Sequence, residues 1–201
     1  MRKIVGVVAL AALVVCGFQP VQASVLGFET GAAYYNARDS RYQGVGTDVG
    51  INFHVDDSLV MGYKVEELAL RGSDKVGAGI VTSNANVTFQ GITAFYRAFA
   101  ADDNKVTGEA GFWTGSATTA DITGGAGAGP VAEPLASAFI EPEVKIGYNT
   151  NEGKVATAVK FGLGYRFVRN VTAPAPFGVG TASALKDLDG LDINLSVGLM
   201  F

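Results

Sequence analysis

Residues 191–201 alternate without a break. Leu191, Ile193, Leu195, Val197, Leu199 and Phe201 are apolar, while Asp192, Asn194, Ser196, Gly198 and Met200 stand between them. A β-strand sends successive side chains to opposite faces, so this stretch has one oily face and one small, mostly polar face. A chain carrying such a strand must offer two different environments, one to each side of its sheet.

The same period-two rhythm recurs along the sequence, and no stretch after Ser24 holds an amphipathic helical period. Eight runs are expected as strands, over residues 25–36, 45–55, 59–70, 87–99, 106–114, 136–148, 155–167 and 191–201. Alternation is weakest over 87–99. There Val87, Phe89, Thr93, Phe95 and Phe99 are placed on one face with Gly91 and Arg97, and a bulge would fit. Pro142 interrupts the sixth run and removes a ladder donor. The connections alternate in length. Those around Asp57, residues 101–105 and residues 149–153 are short and built from Asp, Asn, Ser and Gly. Residues 37–44, 71–86, 115–135 and 168–190 read as longer loops, the third of them rich in Gly, Ala and Thr.

Two kinds of sheet alternate in this way. A soluble barrel or sandwich turns its apolar face inward, and a membrane barrel turns it outward. The non-apolar faces of the last two runs favour the second, because Ala156, Ala158, Gly162, Gly164, Ser196 and Gly198 are too small and uncharged for a solvated surface. Small residues suit the crowded interior of a narrow barrel. Aromatic residues near run ends (Tyr34, Phe53, Phe95, Phe99, Tyr148, Tyr165, Phe167, Phe201) suit two membrane interfaces. The expected fold is all-β: a closed, antiparallel, up-and-down transmembrane β-barrel of eight strands.

The first 23 residues read as a secretory signal. Arg2 and Lys3 precede an apolar run over residues 4–18, and Val21-Gln22-Ala23 gives small residues for cleavage before Ser24. A spanning helix needs roughly 20 apolar residues, and Gln19 and Pro20 stop this run short of that. The expected organisation is thus a cleaved segment, 1–23, and one barrel domain, 24–201. The sole cysteine, Cys16, would leave with the signal, so no disulfide or cysteine zinc site is expected. The net charge of −4 and the lack of a basic tract argue against nucleic acid as a partner.

The signal, the opening Gly27-Phe28-Glu29-Thr30-Gly31-Ala32-Ala33-Tyr34-Tyr35 and the closing strand together resemble the small eight-stranded outer-membrane proteins of Gram-negative bacteria, the OmpX, OmpW and OmpA-barrel type. That resemblance implies residence in the outer membrane with both termini periplasmic. It also implies contact with outer-membrane lipid and lipopolysaccharide, and assembly by the barrel-insertion machinery. The strand marked by Ile193, Leu195, Val197, Leu199 and Phe201 would serve as the closing and insertion signal. It transfers no substrate, because a fold hosts many functions.

The candidate functional residues lie on the inward face. Glu29, Asp48, Glu109, Glu141 and Glu143 are expected to meet Lys64, Lys145, Lys160 and Arg166 across the lumen, since an unpaired buried ion is costly. Such a layer either plugs the barrel or lines a thin, cation-preferring path for a small solute. No catalytic, cofactor or metal residue is assigned. His54, the one histidine, lies beside Asp56 and Ser58, but neighbours on a turn do not make a triad. Glu66 and Glu67 must face opposite ways, and residues 186–192 lack the spacing of a calcium loop. The function expected is that of a non-enzymatic barrel presenting external loops for envelope integrity or surface contact, with a narrow channel for small or apolar solutes as the alternative and a lipid-modifying enzyme as the more distant one.

Overall fold

The computed structural model describes residues 26–38, 42–56, 58–76, 79–101, 105–124, 135–150, 156–169 and 188–201. The expected signal segment and the glycine-rich stretch beyond Gly124 lie outside them. The described chain forms β1 (Leu26–Ala37), β2 (Gln43–His54), β3 (Leu59–Val76), β4 (Gly79–Ala101), β5 (Val106–Gly124), β6 (Leu135–Thr150), β7 (Ala156–Arg169) and β8 (Gly190–Met200). Each strand pairs antiparallel with the next, and β8 pairs with β1, closing the sheet into an eight-stranded barrel. Closure leaves no edge whose backbone groups lack a partner, as a sheet in hydrocarbon requires. Phe201 completes the seam: its N–H donates to the Leu26 carbonyl, and its ring meets Phe28 edge-on.

The register is staggered. Followed once round from Lys145 through Asn194, Ala33, Leu68 and Val87, it returns to β6 at Leu135, ten residues along the strand. A stagger of this kind accompanies strands tilted by roughly 35–45°. It stacks inward residues from all eight strands in overlapping layers.

The oily faces point outward. Ile146 is 61% exposed, Leu195 55%, Phe161 51% and Val49 60%, values no aqueous core would give. Three sequence expectations need correction. Val87, Phe89, Thr93 and Phe95 on β4 point into the barrel and are buried, while Ile92, Tyr96 and Phe99 point out. The pairing of β4 with β5 slips between Arg97 and Phe99, and this bulge moves Phe99 to the face opposite Phe95. Second, residues 71–76 and 79–86 are strand where a long loop was expected, because β3 and β4 continue pairing to Val76 and Gly79. Third, β5 runs on to Gly124, into the stretch expected as loop.

Candidate functional site

The middle of the lumen is organised by Arg166 on β7. Its Nε donates to Glu141 Oε2 at 2.5 Å and its Nη1 to Glu66 Oε1 at 2.8 Å, while Nη2 stands 3.7 Å from Asp192 Oδ1. The guanidinium also lies 4.0 Å from the Phe89 ring, 4.9 Å from Trp113 and 5.0 Å from Tyr35. The ring faces attract the cation that the carboxylates hold from the side. Arg166, Glu66, Glu141, Asp192, Tyr35, Phe89 and Trp113 all have no exposed surface. Lys64 extends the layer, 3.4 Å from Glu66, 3.6 Å from Asp48 and 4.5 Å above the Trp113 ring.

A second layer lies nearer the chain termini. Lys160 Nζ donates to both oxygens of Glu109, at 3.2 and 3.1 Å, and stands 3.9 Å from Glu29. Lys145 lies 3.8 Å from Glu29, 3.7 Å from Glu143 and 4.2 Å above the Phe95 ring. Neutral donors add to the ion pairs: Asn52 and Ser196 donate to Glu29, and Asn194 to Glu143 Oε1. Among the described residues the ion-pair network joins seven carboxylates to four cations.

Glycines make room for these heads. A Cβ on Gly164 would come within 2.3 Å of Glu141 Oε1, and one on Gly162 within 2.4 Å of Glu143 Oε1. The wall of β7 is therefore bare backbone where the carboxylates of β6 fold against it. Here the residue type is set by the side chain across the ladder, not by a backbone angle.

Above Arg166, toward the β1–β2 and β3–β4 connections, the lumen turns apolar. Tyr35, Leu68, Leu70, Val87, Phe89, Trp113, Phe139 and Leu188 pack with small alanines into one buried cluster. Phe139 meets Trp113 edge-on with centroids 4.7 Å apart, and Phe89 at 5.2 Å. The Tyr35 hydroxyl donates to the Leu188 carbonyl, which ties the residues preceding β8 into the mouth. Among the described residues, the ion pairs around Arg166 thus lie directly beneath a buried aromatic cluster.

The structure brings all nine expected lumen charges inside: Glu29, Asp48, Lys64, Glu109, Glu141, Glu143, Lys145, Lys160 and Arg166 are buried or nearly so, each within an ion pair. Ile193, Leu195, Val197, Leu199 and Phe201 lie outward along β8, between β7 and β1. Glu66 and Asp192 were missed as members of the network. Each shares inward parity with a residue already noted, Lys64 and Asn194, and that parity was the available signal. The aromatic cage of Arg166 was missed because it assembles from four strands.

His54 ends β2, half-buried. Asp56 Oδ1 instead accepts the N–H groups of Ser58 and Leu59, both at 2.7 Å, so this carboxylate shapes the turn. These two N–H donors favour the ionised form and hold the Asp56 carboxyl below the usual carboxylate range. Asp189 Oδ1 accepts the Val168 N–H and Asp192 turns inward to Arg166, so these two acids belong to the wall and the lumen.

No protein-family model and no curated protein matches the sequence. Solved structures match its fold. The outer membrane protein OprG from Pseudomonas aeruginosa superposes with a TM-score of 0.62 at 11% identity, over 90% of this chain and 97% of that one. Neisserial surface protein A gives 0.47 at 13% identity, over 89% and 98%. Ail, the attachment invasion locus protein of Yersinia pestis, gives 0.48 at 10% identity, over 90% and 100%, in its complex with the heparin analogue sucrose octasulfate. With its closed antiparallel eight-strand sheet, outward oily face and charge-filled lumen, the chain has the fold of the small eight-stranded outer-membrane β-barrels.

Proposed function

We propose that the protein resides in a bacterial outer membrane, after removal of residues 1–23, as a shut, non-enzymatic barrel that carries its long connections outside the cell. Both termini then face the periplasm, and the β8 residues Ile193, Leu195, Val197, Leu199 and Phe201 signal insertion. The outward oily band supports the membrane setting, since hydrocarbon removes such a band from water around the whole closed barrel. The observation that carries the shut-barrel reading is the Arg166 layer. A guanidinium with no exposed surface, held by Glu66 and Glu141 beneath Phe89 and Trp113, fills the middle of the lumen and supports a barrel closed to solutes. Such a lumen is a wall and a foundation, which suits envelope integrity or surface contact.

Planar-bilayer recording tests this. The purified protein is expected to give no unitary conductance, and Arg166→Ala to raise leak. Steady conductance by the unaltered protein would replace the shut barrel with the narrow channel. The seven carboxylates against four cations would then make the channel prefer cations.

A further inference from the structure

The barrel reverses its polarity partway up its strands. On β3 the inward residues are Lys64 and Glu66, then Leu68 and Leu70; the outward ones are Met61, Tyr63 and Val65, then Glu67, Ala69 and Arg71. The adjacent acids Glu66 and Glu67 mark the crossover: Glu66 has no exposed surface and Glu67 is exposed. The strand before them is oily outside and charged inside. The strand after them is apolar inside and mainly polar outside, the pattern of a protein in water.

Neighbouring strands reverse at the same height. On β4 the outward series passes from Tyr96 and Ile92 to Gln90, Asn86 and Asn84, as the inward series passes from Thr93 to Phe89, Val87 and Ala85. On β5 it passes from Phe112 to Ser116 and Thr118, with Ala117 buried. The register joins these points, pairing Glu67 with Thr88 and Val65 with Gln90, and Gln90 donates to Ser116 Oγ at 3.4 Å. Inside, the change falls at Arg166, where the ion pairs meet the aromatic cluster.

We infer that the membrane ends at this crossover, and that the barrel above it is a water-facing domain with its own apolar core. Glu67, Gln90 and Ser116 then form a collar against the polar headgroups of the outer leaflet. From Glu67 to Val76 β3 continues for about 30 Å of strand, at ~3.3 Å per residue. The paired strands β3 and β4 thus stand clear of the headgroups on a closed base. This inference rests on the membrane setting proposed above, and it adds the position of the boundary.

Depth labelling separates the two. Single cysteines at Met61, Val65, Ala69 and Arg71 on β3, and at Ile92 and Asn86 on β4, are introduced into full-length chain carrying Cys16→Ser. Each is labelled with an environment-sensitive fluorophore after refolding into phosphatidylcholine vesicles containing doxyl-labelled lipid. Labels at 61, 65 and 92 should emit blue-shifted and lose intensity to the doxyl groups. Labels at 69, 71 and 86 should emit as in water and keep it. Lipid-like emission at all six sites would overturn the boundary and leave the membrane barrel standing. Water-like emission at all six would overturn the membrane setting and this inference with it. Leu68→Glu supplies a second measure: it should unfold the upper strands, and a variant as stable as the parent would show that they hold no apolar core.

Discussion

Arg166 Nη1 lies 2.8 Å from Glu66 Oε1, joining strands β7 and β3 across the lumen between residues 100 positions apart in the chain. No ladder hydrogen bond links these two strands. The pair therefore fixes the cross-section of the barrel, where the backbone fixes only its circumference.

Removing the cation should be costly. Arg166→Met leaves Glu141 and Asp192 buried without their counter-ion and Glu66 with Lys64 alone, and breaking such a pair from one side costs about 3–5 kcal/mol. Asp192→Asn should cost much less, because its contact with Arg166 is a loose 3.7 Å and the network is already rich in acid. Urea unfolding in lipid vesicles, followed by the fluorescence of Trp113, the only tryptophan, measures both.

The apolar cluster should respond as a packed core does. Leu68→Ala opens a cavity beneath Leu70 and Val87 and should lose about 2–5 kcal/mol. Leu195→Ala, on the outer wall, leaves space that a lipid tail can fill, and should lose less. Equal losses in the same unfolding assay would show that the inner cluster is not tightly packed.

The β6–β7 seam should be the softest in the wall. Its pairing passes from Ile140↔Phe167 to Glu143↔Gly164, skipping the positions at Pro142, which has no N–H to donate. Pro142→Ala should restore a ladder bond, worth about 0.5–1.5 kcal/mol. Slower amide hydrogen exchange along β6 and β7 and a higher unfolding midpoint would register it.

The β2–β3 turn should weaken in acid. The Asp56 carboxyl has a folded-state pKa below its unfolded value, because Ser58 and Leu59 donate to its ionised form. The stabilisation it gives is therefore present above the unfolded pKa and disappears as pH falls through the folded one. Compared across pH 7 to pH 2 (~5 units, bracketing the usual carboxylate range), the parent should exceed Asp56→Ala in stability at neutral pH and converge with it in acid. A constant difference would assign the effect to something other than this charge.

Much of the wall was legible because a strand has a period of two and most of these strands obey it. Parity alone placed Glu29, Lys64, Glu141, Lys145 and Arg166 inside, and Ile146, Phe161 and Leu195 outside. β4 was misplaced for two physical reasons. The bulge at Arg97/Phe99 breaks parity, and the polarity reversal above Ile92 makes the inward face of the upper strand the oily one. Summing apolar residues along such a strand selects the wrong side. The loop expected over residues 71–86 fell to the same reversal, since the exposed residues described at its two ends, Arg71, Asn84 and Asn86, are polar.

By itself the sequence determined the number of strands, their antiparallel order and, for most of them, which side chains share a face, because these follow from local alternation and connection length. Only the tertiary structure decided which carboxylate meets which cation, that Arg166 sits under Phe89 and Trp113, and where along the axis the barrel changes from charged to dry inside. Those depend on the ten-residue stagger that aligns distant strands. Stagger is set by packing across the closed ring, and no single strand carries it.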